Sequence, residues 1–111
     1  MKVIMMEPSK KAEVKEIDGS LSNMQDIVGG WIELFCPFEH ENVGVIVNEE
    51  GKILNLPANR AVVKENKIID ILAGPAFIVN LDSDEEDFQS LTDEQVNRLM
   101  RNITDTEIYC D

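Results

Sequence analysis

Asn48-Glu49-Glu50-Gly51-Lys52-Ile53-Leu54-Asn55-Leu56-Pro57-Ala58-Asn59-Arg60 joins two apolar runs, and its reading decides the fold. Upstream, Val43, Val45 and Val47 alternate with Gly44, Ile46 and Asn48, the period of a strand with one face well buried. Asn48-Glu49-Glu50-Gly51 supplies turn formers, with Gly51 placed for a positive φ, so Ile53–Leu56 reads as the return strand of a hairpin. Pro57 has no amide proton and stops the ladder or confines it to an edge. Asn59 and Arg60 then fall at a kink, before Ala61-Val62-Val63 resumes an extended run. A guanidinium carries five donors in a rigid fork that suits carboxylate or phosphate. Arg60 is therefore either an anion ligand or a brace that bonds backbone carbonyls of the turn.

Composition sets the outer bounds. A chain of 111 residues with 43% hydrophobic residues forms one domain, expected over 1–111 with 104–111 as a tail that either adds a short strand or frays. Only 5% is aromatic, so the core is aliphatic and methionine-rich. No stretch approaches the roughly 20 apolar residues that span a bilayer, and Glu7 interrupts an opening too short for a signal peptide. A cytoplasmic protein without membrane contact is expected. Cys36 and Cys110 match no zinc spacing and read as free thiols. No metal or cofactor is called for.

Charge is unevenly spread. The formal net charge is −12. Residues 1–40 hold 7 acids and 4 bases, residues 41–80 hold 5 and 4, and residues 81–111 hold 10 and 2. A basic nucleic-acid face is excluded by this balance, whereas an anion site is feasible in the near-neutral centre. Asp82–Asp87 is an acid run without the glycine and spacing of a calcium loop, and reads as a solvated loop.

Along the chain, Lys2–Met6 reads as a strand and Ala12–Ile17 as a more polar one near an edge. Leu21, Met24, Ile27 and Val28 recur at helical spacing, with Ser20 or Ser22 as the cap and Gly29-Gly30 as the exit. Trp31–Phe35 reads as a strand with Ile32 and Leu34 facing the helix, and with Glu33 between Trp31 and Phe35 on the other face. That second face is either a base-stacking platform or a cap on the core or a subunit interface. His40, flanked by Glu39 and Glu41, reads as a loop residue. Ala76–Leu81 is the central strand. Thr92 and Gln95 are spaced as a capping box before a helix striped by Val96, Leu99, Met100 and Ile103. The expected class is α+β: a curved, mostly antiparallel sheet with two short helices packed on it.

Several pieces together are similar to a known group. They are Met1-Lys2-Val3 with Pro8 and Glu16-Ile17, Gly29-Gly30-x-Ile32-Glu33, Asn48-Glu49-Glu50-Gly51-Lys52, Leu56-Pro57-x-Asn59-Arg60, Asp70-Ile71 before Gly74, and Phe88-x-Ser90-Leu91-Thr92-Asp93. Over most of its length the chain resembles a family of small acidic domains of unknown function carried by plasmids, conjugative elements and phages of Gram-positive bacteria. That setting implies counter-defence in a host cytoplasm, and a relation to phage proteins that act as sponges for cyclic-nucleotide signals.

The expected function is a non-catalytic binding protein that sequesters a small anionic nucleotide, such as a cyclic dinucleotide. Arg60 and Lys52 would meet phosphate, Asn59 a base edge, and Trp31 would stack. A chain this small builds such a pocket between subunits, so a homo-oligomer is expected. The alternative is an acidic DNA mimic that inhibits a restriction or other nucleic-acid-binding enzyme, resting on the acid-rich last 31 residues. Catalysis is not expected. The sequence groups no Ser/His/Asp or Cys/His set and no phosphate-binding glycine loop.

Overall fold

Eight strands and two helices organise the chain in the computed structural model, which describes residues 1–82 and 87–110. In order they are β1 (Lys2–Met6), β2 (Glu13–Glu16), α1 (Leu21–Val28), β3 (Ile32–Phe35), β4 (Val43–Asn48), β5 (Ala58–Lys64), β6 (Lys67–Ala73), β7 (Ala76–Asn80), α2 (Asp93–Met100) and β8 (Glu107–Tyr109). The strands form two sheets rather than the single one the alternation predicts. One is five-stranded and antiparallel, ordered β2-β1-β7-β4-β3. The other is three-stranded, ordered β6-β5-β8, with β8 parallel to β5. The class is α+β, as the sequence reads.

Period-two alternation divides the core between the two faces of the large sheet. Val3, Met5, Ile46, Phe77 and Val79 face α1, which contributes Met24 and Val28. Ile4, Met6, Val43, Val45, Val47 and Ile78 face the small sheet, represented by Val62, Leu72 and Ile108, with Leu99 of α2 in the same cluster. The apolar run of β7 is buried on both faces because it is the middle strand. β2 lies at one edge and is exposed throughout.

Helix ends follow their local chemistry. Ser20 Oγ accepts the Asn23 amide, so Ser20 is the cap of α1, and Gly29 leaves the helix in the left-handed conformation at φ 81°. Thr92 and Gln95 complete the capping box of α2.

The hairpin expected after Asn48 does not form. β4 pairs with β3 and β7, and Ile53–Leu56 is not a strand. The Leu54 amide instead donates to Glu50 O, that of Asn55 to Lys52 O and that of Leu56 to Gly51 O, coiling the segment into successive turns. Gly51 is not at positive φ. A Cβ there would lie 2.8 Å from Ala73 O, so glycine is required for the close approach of this loop to β6. In the C-terminal segment, Glu107–Tyr109 forms the short strand β8. β8 pairs with β5 and Ile108 is fully buried.

Trp31 immediately precedes β3, and its carbonyl accepts the Glu49 amide at 2.8 Å. Ile32 packs toward α1 as expected, while Leu34 is largely exposed over Gly44. Cys36 is exposed and Cys110 buried, and no disulfide joins them. Of the acid run Asp82–Asp87, only the two end residues fall within the described residues.

Candidate functional site

Asn59 and Arg60, expected as ligand residues, follow Ala58 at the start of β5, and both are buried. Arg60 is 1% exposed. Its Nε donates to Thr104 O at 2.8 Å, Nη1 to Glu7 O at 3.2 Å and to Asn59 Oδ1 at 2.7 Å, and Nη2 to Lys10 O at 2.6 Å. Asn59 Nδ2 donates to Met6 O at 2.9 Å and Gly74 O at 2.8 Å. The fork thus ties the loop after β1 and the loop before β8 to the start of β5. Burial pulls the Arg60 guanidinium below its ordinary value, and the charge of Asp105 opposes the shift. A fork whose donors end on backbone carbonyls has little left for a phosphate. The Asn59-Arg60 pair forms a buried clamp on these backbone segments, the geometry of a brace.

Two further buried asparagines act alike at strand ends. Asn48 Nδ2 donates to Val28 O, and its Oδ1 accepts from the Glu50 amide. Asn80 Nδ2 donates to Ser90 O, and its Oδ1 accepts from the Asp82 amide and Gln95 Nε2. Among the described residues no buried side-chain polar atom lacks a partner.

Trp31 lies elsewhere. It is 67% exposed and lines a shallow depression with Gln25, Asp26, Gly29 and Gly30 at the end of α1. The neighbourhoods of Trp31 and Arg60 have no residue in common, so the fold does not bring the indole and the guanidinium to one recess. Lys52 is exposed, and its Nζ is paired with Asp70. Beside it, a recess of about 120 Å³ between the sheets is lined by Glu33, Glu49, Lys52 and Asp70 over Phe35 and Leu72. Three carboxylates against one ammonium make a poor seat for an anionic ligand.

The feature that residue chemistry did not announce lies on the outer side of the small sheet. Ile68 is 62% exposed, and Ile69 and Ile71 are each about half exposed; Ile53 and Leu54, in the loop before β5, are exposed as well. Ile68, Ile69 and Ile71 line an open groove of about 510 Å³ together with Leu56, Ala58 and Ala73. Strict alternation would place Ile68 and Ile69 on opposite faces. The pairing Val63↔Ile68 followed by Val62↔Asp70 leaves Ile69 as an extra residue, and this bulge breaks the alternation. The strand's isoleucine content was visible in the sequence; the bulge and the exposure of these side chains were not.

His40 lines a hollow of about 260 Å³ with Arg98, Tyr109 and Cys110. There Arg98 is held by both oxygens of Glu41, and Tyr109 Oη donates to Glu107 at 2.7 Å. Among the described residues, no group of three or more His, Cys, Asp or Glu side chains is disposed to hold a metal. No helix among them is long and apolar enough to cross a membrane.

The geometry defines a two-sheet α+β domain with a buried Asn-Arg clamp and an apolar outer face on its smaller sheet. The chain belongs to the family described as Domain of unknown function (DUF3846), whose model matches residues 1–104. Neither a curated protein nor a solved structure matches it.

Proposed function

We propose that the chain is a non-catalytic binding module that docks a protein through the outer face of its small sheet. One observation carries this reading: Ile68, Ile69 and Ile71 of β6 are exposed around one open groove that Leu56, Ala58 and Ala73 also line. Single exposed apolar side chains are ordinary, but a contiguous group of this kind marks an interaction surface. The proposal keeps the binding class that the sequence reading favoured and moves the contact surface away from Asn59 and Arg60. Sequestering an anionic nucleotide would fall to Lys52 and Trp31 alone, which line separate depressions, with acids around Lys52. In a mobile-element setting, such a module would act on host defence by occupying a partner's surface.

The test is photo-crosslinking inside the expressing cell, with p-benzoylphenylalanine at Ile71 and, as control, at Val14 on the exposed β2 edge. An adduct of higher mass from position 71 and none from position 14 is the expected result. The absence of an adduct at 71, or equal adducts at both, would overturn the reading.

A further inference from the structure

We infer that the outer edge of β3 takes an extended segment of another protein as a further strand of the large sheet, with a basic side chain beside Glu33. This contact lies on the other sheet from the docking face of β6 and does not depend on it. Among the described residues the two sheets present four edges, β2 and β3 in one and β6 and β8 in the other. An edge strand carries a row of unpaired amides and carbonyls, which proteins close with charge, side chains or another segment. Three of these edges are closed. Three of the four residues of β2 are charged, with Lys15 paired to Glu13 and Glu16 holding the Met1 amine. On β6 the Ile71 amide donates to Asp70 Oδ1 at 2.8 Å, and the loop at Gly51 lies against Ala73. Beside β8 the preceding residues fold back: the Tyr109 amide donates to Asn102 O at 2.8 Å, and Ile103 bridges Ile108.

No described residue pairs with the outer side of β3. The Glu49 amide donates to Trp31 O, so Trp31 and Glu49 are a hydrogen-bonded pair that continues the β3–β4 register. Alternation makes Glu33–Val47 and Phe35–Val45 the next such pairs, and turns the N–H and C=O of Ile32 and Leu34 outward. These two rungs lie about 7 Å apart, the two-residue repeat of an extended chain, so the complement of this edge is another strand. The flanking side chains set its sequence. A residue paired with Leu34 shares its face and packs on that largely exposed side chain, which favours an apolar group. The adjacent position points to the face of Glu33. Glu33 and Glu49 line the recess beside this strand, where Lys52 is paired with Asp70. Among the described residues neither glutamate has an ion-pair partner. A Lys or Arg on the incoming strand supplies one, and the net charge of −12 adds long-range attraction. The fitting segment therefore alternates apolar and basic residues.

The test titrates a capped hexapeptide of alternating lysine and valine into the full chain, followed by NMR. The expected result is saturable binding with slowed exchange of the Ile32 and Leu34 amides. The same peptide N-methylated on its valines keeps charge and side chains but lacks the donors that face β3, and should bind about tenfold more weakly. Leu34→Pro removes one outward donor and spares the ladder to β4, because proline is tolerated where the N–H faces away from the sheet. It should also weaken binding about tenfold. Glu33→Lys, a change at an exposed side chain, should weaken it about fivefold. No saturable binding, equal binding of the two peptides, or slowed exchange at β2 with β3 unaltered overturns the inference. If Leu34→Pro does not fold, the N-methylated peptide and Glu33→Lys still decide the outcome.

Discussion

Replacing Arg60 by Met removes the fork from the clamp and leaves Lys10 O, Thr104 O and Asn59 Oδ1 without their donor, while Glu7 O keeps the Lys10 amide. A hydrogen bond to a charged donor contributes about 1.5–3 kcal/mol, and each buried acceptor left alone costs about 1–3 kcal/mol. These terms do not add, because the four acceptors share one side chain and removing the guanidinium also relieves its own burial cost. The net is about 3 kcal/mol, a large part of the roughly 5–15 kcal/mol that holds a domain together. For a chain of this size that is a fall in melting temperature of about 10–20 °C. Arg60→Lys should lose nearly as much, since an ammonium cannot reproduce the fork. The exposed Lys52→Met should stay within about 0.5 kcal/mol. Urea and thermal unfolding followed by circular dichroism give all three values. An Arg60→Met protein within about 1 kcal/mol of wild type would refute the clamp, and would return the guanidinium to the ligand-binding role read from the sequence.

Acid should remove one identifiable contribution. The hydrogen bonds from Arg98 hold the Glu41 carboxyl below its ordinary value against the opposing effect of burial. A carboxylate depressed in the folded state stabilises above its unfolded pKa and loses that contribution as pH falls through the folded value. Glu41→Gln should therefore cost about 1 kcal/mol at pH 7 and almost nothing near pH 3, as measured by urea unfolding at the two pH values. Gly51→Ala should destabilise by about 1–3 kcal/mol, because the added Cβ meets the backbone oxygen of Ala73 and neither side can swing away. A neutral outcome in the same unfolding assay would mean that the loop is not held against β6.

Much of the fold is legible because its signals are local. Alternation along Lys2–Met6 and Val43–Asn48, the unbroken run at Ala76–Asn80, and the caps at Ser20 and Thr92 each determine their own element. What failed was the step from an element to its neighbour. Turn formers at Asn48–Gly51 fit a hairpin equally well as they fit the coiled loop that forms, and only the long-range pairing of β4 with β7 decides between them. The division into two sheets is likewise set by which strands find each other, not by any residue. The candidate site was harder. Arg60 has the same chemistry whether its donors meet a phosphate or carbonyls 44 to 53 positions away, and burial alone tells the cases apart. The face on β6 escaped because apolar residues in a strand read as core, and no local pattern says that nothing covers them.

Amide hydrogen exchange on the full chain, compared between the purified protein and the protein in an extract of the expressing cell, tests the central claim most directly. If the outer face of the small sheet is where the chain meets its partner, residues 67–73 gain protection in the extract, while the clamp segments 7–10 and 104–106 exchange unchanged. Protection that appears at the clamp segments or around Trp31, with the β6 face unaltered, would contradict it.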